Sequence, residues 1–289
     1  MFSIGHILFI VICLPLAIGL AIFCAKKFGW NKRVLYAVLG IAIASEITKV
    51  FFFMQKMPMT DVHGNETGHG YFLAPDQLPF MLCSIQIIFI LLITFVKNKK
   101  FLTVLMAFMF PTLIGGGAMA FVVPNNPVNF GFGSVIAFQF FIYHAMLVFL
   151  GIYMYLTKPV DFTIKSYFTA YLVLLVVAFL MIYVNSALGG PDKNTNFMYV
   201  VRGPMEGTSV DFPYMNTNHG WYVYMLQMAS MAVLWFTILY SPVFYKAFRG
   251  WQAKRRGVAA IATAADEGAE AVEPATQKAE KTKTPKKNN

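Results

Sequence analysis

The sequence predicts an all-α polytopic membrane protein with seven transmembrane helices, its N-terminus outside and its C-terminus in the cytoplasm. The first observation is composition: the 289 residues are 58% hydrophobic and 12% charged, whereas soluble domains are about half apolar and about a quarter charged. The second is that the apolar residues come in long blocks. The third is that positive charges fall in alternate loops between those blocks.

Seven apolar segments of about 17–23 residues are each long enough to cross about 30 Å of hydrocarbon as a helix. We place them at about 5–24, 34–54, 78–96, 101–123, 134–156, 166–186 and 221–242. The first segment lacks the A-x-A cleavage pattern of a signal peptide, so we predict that it is a retained helix.

The loop charges predict the orientation. The loops "AKKFGWNKR", "KNKK" and "TKPVDFTIK" carry four, three and two Lys or Arg residues, and the loop 124–133 carries none. Ten of the 23 Lys and Arg residues follow residue 245, so the net charge of +10 is a topology signal and not a sign of nucleic-acid binding. By the positive-inside rule the C-terminus is cytoplasmic. We expect a multi-pass protein of the plasma membrane.

Two regions differ in composition. Residues 1–250 form the predicted seven-helix transmembrane domain, and residues 251–289 form a tail rich in Ala, Glu, Lys and Thr. Such a tail cannot bury a core, which predicts disorder. Two interpretations of its basic end remain: it binds anionic lipid headgroups, or it is a solvated charged segment without a partner.

Polar side chains within the spans are candidates for function because lipid makes them costly. Glu46 and Lys49 in span 2 are either a self-neutralised pair at i,i+3 spacing or part of a site. Gln86, Gln139 and Asn185 suit hydrogen bonds between helices as well as substrate contact. Tyr143 and His144 complete the group in span 5.

Cys83 stands near the start of span 3, in "LPFMLCSIQ". A membrane cysteine usually serves as a small hydrophobe, but a helix N-terminus stabilises a thiolate. With His144 as a base, Cys83 has the minimum constellation for acyl transfer. Counting residues along the spans predicts that the two differ in depth by about 8 Å.

Span 4 contains Pro111 and the run Gly115–Gly117. A proline followed by three glycines can kink a helix and form the wall of a cavity for a lipid chain. The same residues also permit close helix packing.

Four motifs together resemble a known family. "LPFMLCSIQ" resembles the LPLHLC-type signature of the bacterial YwaF-like integral membrane proteins. "FQFFIYHAMLVFLGIYMY" and "LGGPDKNTNFMYVVRGP" are similar to that family's FQFFxSHxxxV segment and GxNYMxLxxxP loop, and a glutamate in span 2 also fits. The resemblance covers roughly residues 5–242 and leaves out the tail.

The YwaF-like family is similar to the eukaryotic multi-pass, transmembrane protein 164-like phospholipid acyltransferases. That resemblance implies a catalytic pair at Cys83 and His144. It also implies that Asn196, Tyr199 and Arg202 line the site. This chain departs from the pattern at Met81, where a histidine is expected.

The prediction is therefore a membrane acyltransferase or transacylase that moves a fatty acyl chain between lipids through a Cys83 thioester. A phospholipid or lysophospholipid is the expected partner, and neither a metal nor a cofactor is expected. Counting residues along spans 2, 3 and 6 places Glu46, Lys49, Cys83 and Asn185 in the outer half of the membrane, and this position argues against a cytosolic acyl-CoA donor. The alternative is a non-enzymatic transporter or ligand-binding membrane protein, in which Glu46 and Lys49 line a solute path.

Overall fold

The computed structural model describes residues 3–60, 65–122, 133–189, 195–203, 206 and 216–280, with side chains up to residue 256. These residues contain seven α-helices, one β-hairpin and two short 3-10 turns. The helices are α1 (Ile4–Phe28), α2 (Lys32–Phe53), α3 (Leu82–Phe95), α4 (Lys99–Val122), α5 (Val135–Thr157), α6 (Ile164–Leu188) and α7 (Trp221–Glu280).

The all-α membrane fold is confirmed. Within the described residues, six helices are long and apolar enough to cross a membrane, and the seventh, α3, is a shorter apolar helix of 14 residues. Span 3 was predicted to begin at residue 78, but α3 begins at Leu82. Proline at 75 instead opens a 3-10 turn, Pro75–Gln77, and Pro79 lies in the non-helical lead-in to α3.

Helices α4 and α5 form the centre of the bundle. They have the largest buried shares of the candidate spans. Helix α5 packs against α1, α2 and α4, while α4 also packs against α3 and α6. Helices α1, α2, α3 and α6 therefore pack around a central pair.

The Pro111 segment is a close-packing device and not a break, because α4 continues through it. Proline lacks an N–H, so the carbonyl of Ala107 loses its helical donor. The Tyr240 hydroxyl of α7 donates to that carbonyl at 3.0 Å. A Cβ on Gly117 would lie 2.8 Å from the carbonyl oxygen of His144, and one on Gly115 would overlap the Trp235 indole. The two glycines thus let α5 and α7 approach α4.

A β-hairpin joins α2 to α3, in a stretch where the sequence predicted only a loop. Strands β1 (Met54–Thr60) and β2 (Glu66–Leu73) pair antiparallel, with Met54 opposite Leu73 and an irregularity between Met59 and Thr60. The hairpin brings the end of α2 and the lead-in to α3 side by side, so it places Lys49 and Cys83 at the same end of the bundle.

The seventh helix extends beyond the predicted domain boundary. It runs to Glu280, whereas the sequence predicted a disordered tail from residue 251. Alanine, glutamate and lysine are strong helix formers, so the composition that cannot build a core is compatible with a helix. By internal contacts the chain divides into Met1–Tyr240 and Ser241–Asn289. A boundary at residue 250 stays a prediction.

Sidedness stays a prediction with a direct test. A membrane-impermeant amine reagent on intact cells is expected to label Lys56 in β1 and Lys193, which lies outside the described residues, but not Lys97, Lys99 or Lys100. The reason is that the basic loops stay on the cytoplasmic side. Permeabilised cells should label all five. Labelling of the 97–100 loop in sealed cells would reverse the orientation.

Candidate functional site

Cys83 is the second residue of α3, and its sulfur is surrounded by donors. The residue before the helix, Met81, is an N-cap without a side-chain hydrogen bond, so the first N–H groups of α3 keep no side-chain acceptor. The Ser84 hydroxyl and the N–H groups of Cys83 and Ser84 lie within hydrogen-bonding reach of the half-buried Cys83 sulfur. These donors would stabilise a thiolate once it forms, whereas burial of the sulfur favours the neutral thiol.

Charged side chains of α2 lie beside this sulfur. Lys49 is close enough to act electrostatically on Cys83, and its ammonium is 2.7 Å from the Glu46 carboxylate. The two residues are therefore an ion pair, as one of the sequence interpretations held, and its ammonium lies within electrostatic range of Cys83.

Tyr143 links α5 to the start of α3. Its hydroxyl donates to the backbone carbonyl of Cys83 at 2.7 Å. A helix of 14 residues is about 21 Å long, shorter than the roughly 30 Å hydrocarbon layer. The hydrogen bond places the start of α3 beside the turn of α5 that carries Tyr143 and His144.

His144 is buried next to Tyr143 with one ring nitrogen engaged. Its Nδ1 lies 2.7 Å from the Phe140 carbonyl oxygen and donates to it, which leaves Nε2 as the acceptor. In the described part of the chain no hydrogen bond joins His144 to Cys83. The histidine is thus held in the tautomer that a general base needs. It follows Tyr143, the residue whose hydroxyl contacts Cys83.

A tight loop after α6 covers the same end of the bundle. Met198 and Tyr199 both adopt left-handed backbone angles, with φ of 54° and 55°, which cost about 1–2 kcal/mol each outside glycine. The Asn196 side chain closes the loop: its amide nitrogen donates to the Arg202 carbonyl at 2.9 Å, and its oxygen accepts from the N–H of Val201.

Helices α6 and α7 hold this loop. The buried Asn185 amide donates to the Phe197 carbonyl at 3.1 Å and accepts from the Phe197 N–H at 2.8 Å. The Trp221 indole donates to the Val200 carbonyl at 2.8 Å, and the Tyr224 hydroxyl donates to the Tyr199 carbonyl. Three side chains therefore maintain the strained backbone.

Tyr199 turns toward Cys83. Burial, together with the neighbouring Cys83 and Tyr224 side chains, raises the pKa of the Tyr199 hydroxyl, so the phenol stays protonated and able to donate. Phe197 of the same loop contacts Phe80 edge to face, with ring centroids 5.3 Å apart, in a cluster that includes Met81. Methionine at the position where the family pattern has histidine is therefore packing.

Arg202 and Glu206 continue the loop away from Cys83. Partial burial alone would raise the pKa of the Glu206 carboxyl, but hydrogen bonds from Thr217 and Gly203 and the nearby Arg202 hold it below its usual value. The Gly203 N–H donates to Glu206 at 2.9 Å. Glu206 thus ties the end of the loop to the residues just before α7.

Two amides proposed for the site join helices instead. Gln139 donates to the Ser45 hydroxyl at 2.6 Å, which connects α5 to α2. Gln86 donates to the Thr112 hydroxyl at 3.0 Å, which connects α3 to α4. The Gln86 side-chain oxygen is buried without a partner among the described residues, one turn below Cys83.

An apolar groove of about 430 Å³ lies between α6 and α7. Its lining includes Ala178, Ile182 and Met225. The same three residues pack on the cluster around Phe197. The groove therefore adjoins the Phe197 cluster of the tight loop.

Three of the predicted residues act on Cys83: Lys49 and Tyr199 electrostatically, and Tyr143 through its hydrogen bond to the Cys83 carbonyl. Glu46 is paired with Lys49, and His144 follows Tyr143 in α5. Asn185, Asn196, Gln86 and Gln139 shape the surroundings through bonds to the protein. The sequence analysis did not include Ser84, Trp221 or Tyr224 in the site. Ser84 follows Cys83 at a helix start, and this position could have identified it. In the sequence, Trp221 and Tyr224 cannot be distinguished from aromatic residues at a membrane interface.

The fold and this polar cluster define an integral multi-pass membrane protein. Residues 1–246 match the TMEM164 family, and the chain belongs to that family. No curated protein and no solved structure matches the chain. The match ends near residue 246, so the basic end of the chain lies beyond it.

Proposed function

We propose that this protein is a lipid acyltransferase of the plasma membrane that moves a fatty acyl chain between phospholipids through a thioester on Cys83. The observation that carries the proposal is the surroundings of the Cys83 sulfur. Burial of the sulfur favours the thiol, and helix-start N–H groups, the Ser84 hydroxyl and the Lys49 charge oppose that effect, so Cys83 is a thiol that a base can convert to a stabilised thiolate. Tyr143 ties that position to the turn of α5 that bears His144.

The first half-reaction forms the thioester. Nε2 of His144 takes the proton of the Cys83 thiol, the resulting thiolate attacks the ester carbonyl of a donor phospholipid, and the negative charge moves onto the carbonyl oxygen. Free N–H groups at the start of α3 and the protonated Tyr199 hydroxyl are the available donors for that oxyanion. The amide nitrogens of Asn185 and Gln86 already donate to protein acceptors. Collapse breaks the ester bond, and protonated His144 supplies a proton to the departing lysophospholipid oxygen.

The second half-reaction returns the enzyme to its starting state. An acceptor hydroxyl of a lysophospholipid loses its proton to Nε2 of His144 and attacks the thioester. The carbon–sulfur bond breaks, and Cys83 leaves as the thiolate and takes the proton back from His144. A covalent intermediate divides one difficult transfer into two easier ones, and general base assistance contributes about 100- to 10,000-fold.

Trapping of the thioester tests the proposal. In vesicles containing a phospholipid with an alkyne-tagged acyl chain, the wild-type protein is expected to carry a tagged acyl group on Cys83 that hydroxylamine removes. Cys13→Ala is the matched control, because Cys13 lies among the apolar side chains of α1 and α5, and it should keep the adduct. An adduct that survives Cys83→Ala, or wild-type protein that never acquires one, would contradict the covalent mechanism.

A further inference from the structure

The β-hairpin between α2 and α3 carries the titratable side chains of its described residues on one face. Successive side chains of a strand point to opposite faces, and directly opposed residues of two paired strands share a face. Lys56 lies opposite Tyr71, and Pro58 lies opposite His69. The Glu66 carboxylate lies 3.2 Å from the His69 ring, which places it beside the same group. We call this side of the hairpin the titratable face.

The opposite side of the hairpin is apolar or uncharged. We call it the methionine face, and its residues are Gln55, Met57, Met59, Gly68, Gly70 and Phe72. A Cβ on Gly70 would lie 2.7 Å from the Phe72 ring and 3.2 Å from the Met59 sulfur. Phe72 and Met59 therefore meet above the glycine and form one apolar patch, with Met57 on the same face.

The methionine face is uncovered in the structure. The side chains of Met57, Met59 and Phe72 are 37%, 41% and 46% exposed. An isolated two-stranded hairpin is at best marginally stable in water, and packing of an apolar face is what stabilises it. Exposed apolar patches rimmed by polar residues mark contacts with a membrane or a protein. The methionine face therefore needs a cover that the two strands do not supply.

The position of the hairpin favours lipid as that cover. Strand β1 begins at Met54, directly after the end of α2 at Phe53. Phe51 and Phe52 in the last turn of α2 are exposed, and α2 is long and apolar enough to cross a membrane, so these two rings face hydrocarbon at its edge. The hairpin continues from that edge. Its methionine face carries no charge, and methionine adapts to irregular apolar surroundings.

We propose that the hairpin lies in the headgroup layer of the membrane, with the methionine face against the acyl chains of phospholipids and the titratable face toward water. Amphipathic segments of this kind bury their apolar face about 5–10 Å into the boundary between headgroups and chains. Lys56 then stays in water, where an amine reagent can reach it. The hairpin leads into α3, so its contact with lipid also sets the depth at which α3 begins. The inference does not depend on acyl transfer.

The accessibility of nitroxide labels in proteoliposomes tests the inference. Oxygen concentrates in hydrocarbon and a nickel chelate stays in water, so the ratio of the two collision rates reports the medium around a label. The background is the full-length protein with its free cysteines, Cys13, Cys24 and Cys83, replaced by alanine. Single cysteines are then introduced into the hairpin and labelled one at a time.

Neighbouring residues on opposite faces are the matched pairs. Labels at Phe72→Cys and Met57→Cys are expected to give a several-fold higher ratio of oxygen to nickel collisions than labels at Tyr71→Cys and Lys56→Cys. The reason is that one residue along a strand changes the face and leaves the position along the hairpin almost the same. Equal ratios at positions 71 and 72, or a higher ratio at position 71, would overturn the inference. A label at position 72 that neither reagent reaches would also overturn it, because a protein surface would then cover the methionine face.

A charge variant tests the same contact from the side of the lipid. Met57→Asp/Met59→Asp should lower the ratio at position 72 to the value at position 71, because carboxylates among acyl chains are costly. Lys56→Asp, on the titratable face, is the control and should leave the ratio at position 72 unchanged. A ratio that stays high in the folded double variant, as judged by thermal unfolding, would contradict the proposed seating. The comparison of positions 71 and 72 does not depend on the folding of this variant.

Discussion

Replacing Cys83 or His144 by alanine is expected to abolish lipid acyl transfer, and the double variant is expected to be no worse than either single variant. Residues that act as one unit lose activity non-additively, because removal of either disables both half-reactions. Cys83→Ser should be strongly impaired, since a hydroxyl has no readily ionised form beside a single histidine. In His144→Ala, any trapped acyl adduct should appear only at high pH, where the thiolate forms without a base.

The measurement is exchange of a labelled acyl chain between phospholipid and lysophospholipid in reconstituted vesicles. His69→Ala is the matched histidine control, because His69 lies in the hairpin and pairs with Glu66 at 3.2 Å. Thermal unfolding of each variant separates lost chemistry from lost structure. Wild-type rates of acyl exchange in Cys83→Ala would contradict the covalent mechanism. Additive losses of activity in the double variant would show that Cys83 and His144 do not act as one unit.

The second large effect is expected on stability, from Asn185→Ala. Its side-chain oxygen accepts from the N–H of the buried Phe197, and its amide nitrogen donates to the Phe197 carbonyl, which also accepts from the Val200 N–H at 3.4 Å. A buried N–H left unpaired costs about 1–3 kcal/mol, so we expect a loss of about 1–3 kcal/mol in the free energy of unfolding. The loop would also lose the anchor that holds the left-handed backbone of Tyr199.

Thermal or denaturant unfolding in detergent micelles measures this loss. Ser186→Ala is the matched control, because the neighbouring Ser186 is exposed and its hydroxyl bonds only within its own helix, to the Ile182 carbonyl at 2.9 Å. It should change stability by less than about 0.5 kcal/mol. Equal effects of the two substitutions would show that Asn185 does not anchor the loop.

The sequence predicted the helices well because hydropathy reports directly on lipid contact. It misplaced the start of α3, because Pro79 is as compatible with a first helical turn as with the non-helical approach that the chain adopts. It also missed the hairpin, since "MQKMPMT" and "ETGHGYFL" are poor in β-branched residues and contain a proline and two glycines, which disfavour strands.

The sequence predicted which residues belong to the candidate site better than it predicted how they are arranged. Cys83, Lys49 and Tyr143 stood out as polar groups in apolar spans, but their convergence depends on how α2, α3 and α5 pack, which no local pattern records. Glycine spacing likewise suggested either a cavity wall or close packing. The structure favours close packing, because a Cβ on Gly117 would lie 2.8 Å from the His144 carbonyl oxygen.

The shortness of α3 also bears on the bilayer around it. Its neighbours α2 and α4 have 22 and 24 residues against its 14, and its Ile88 and Phe95 side chains are exposed. This is a hydrophobic mismatch on one side of the molecule, which a membrane relieves by thinning locally at a fraction of a kcal/mol per Å. The leaflet beside the start of α3 is therefore expected to be depressed. Such a depression would lower phospholipid headgroups toward Cys83, so the lipid would need less displacement from the membrane to react.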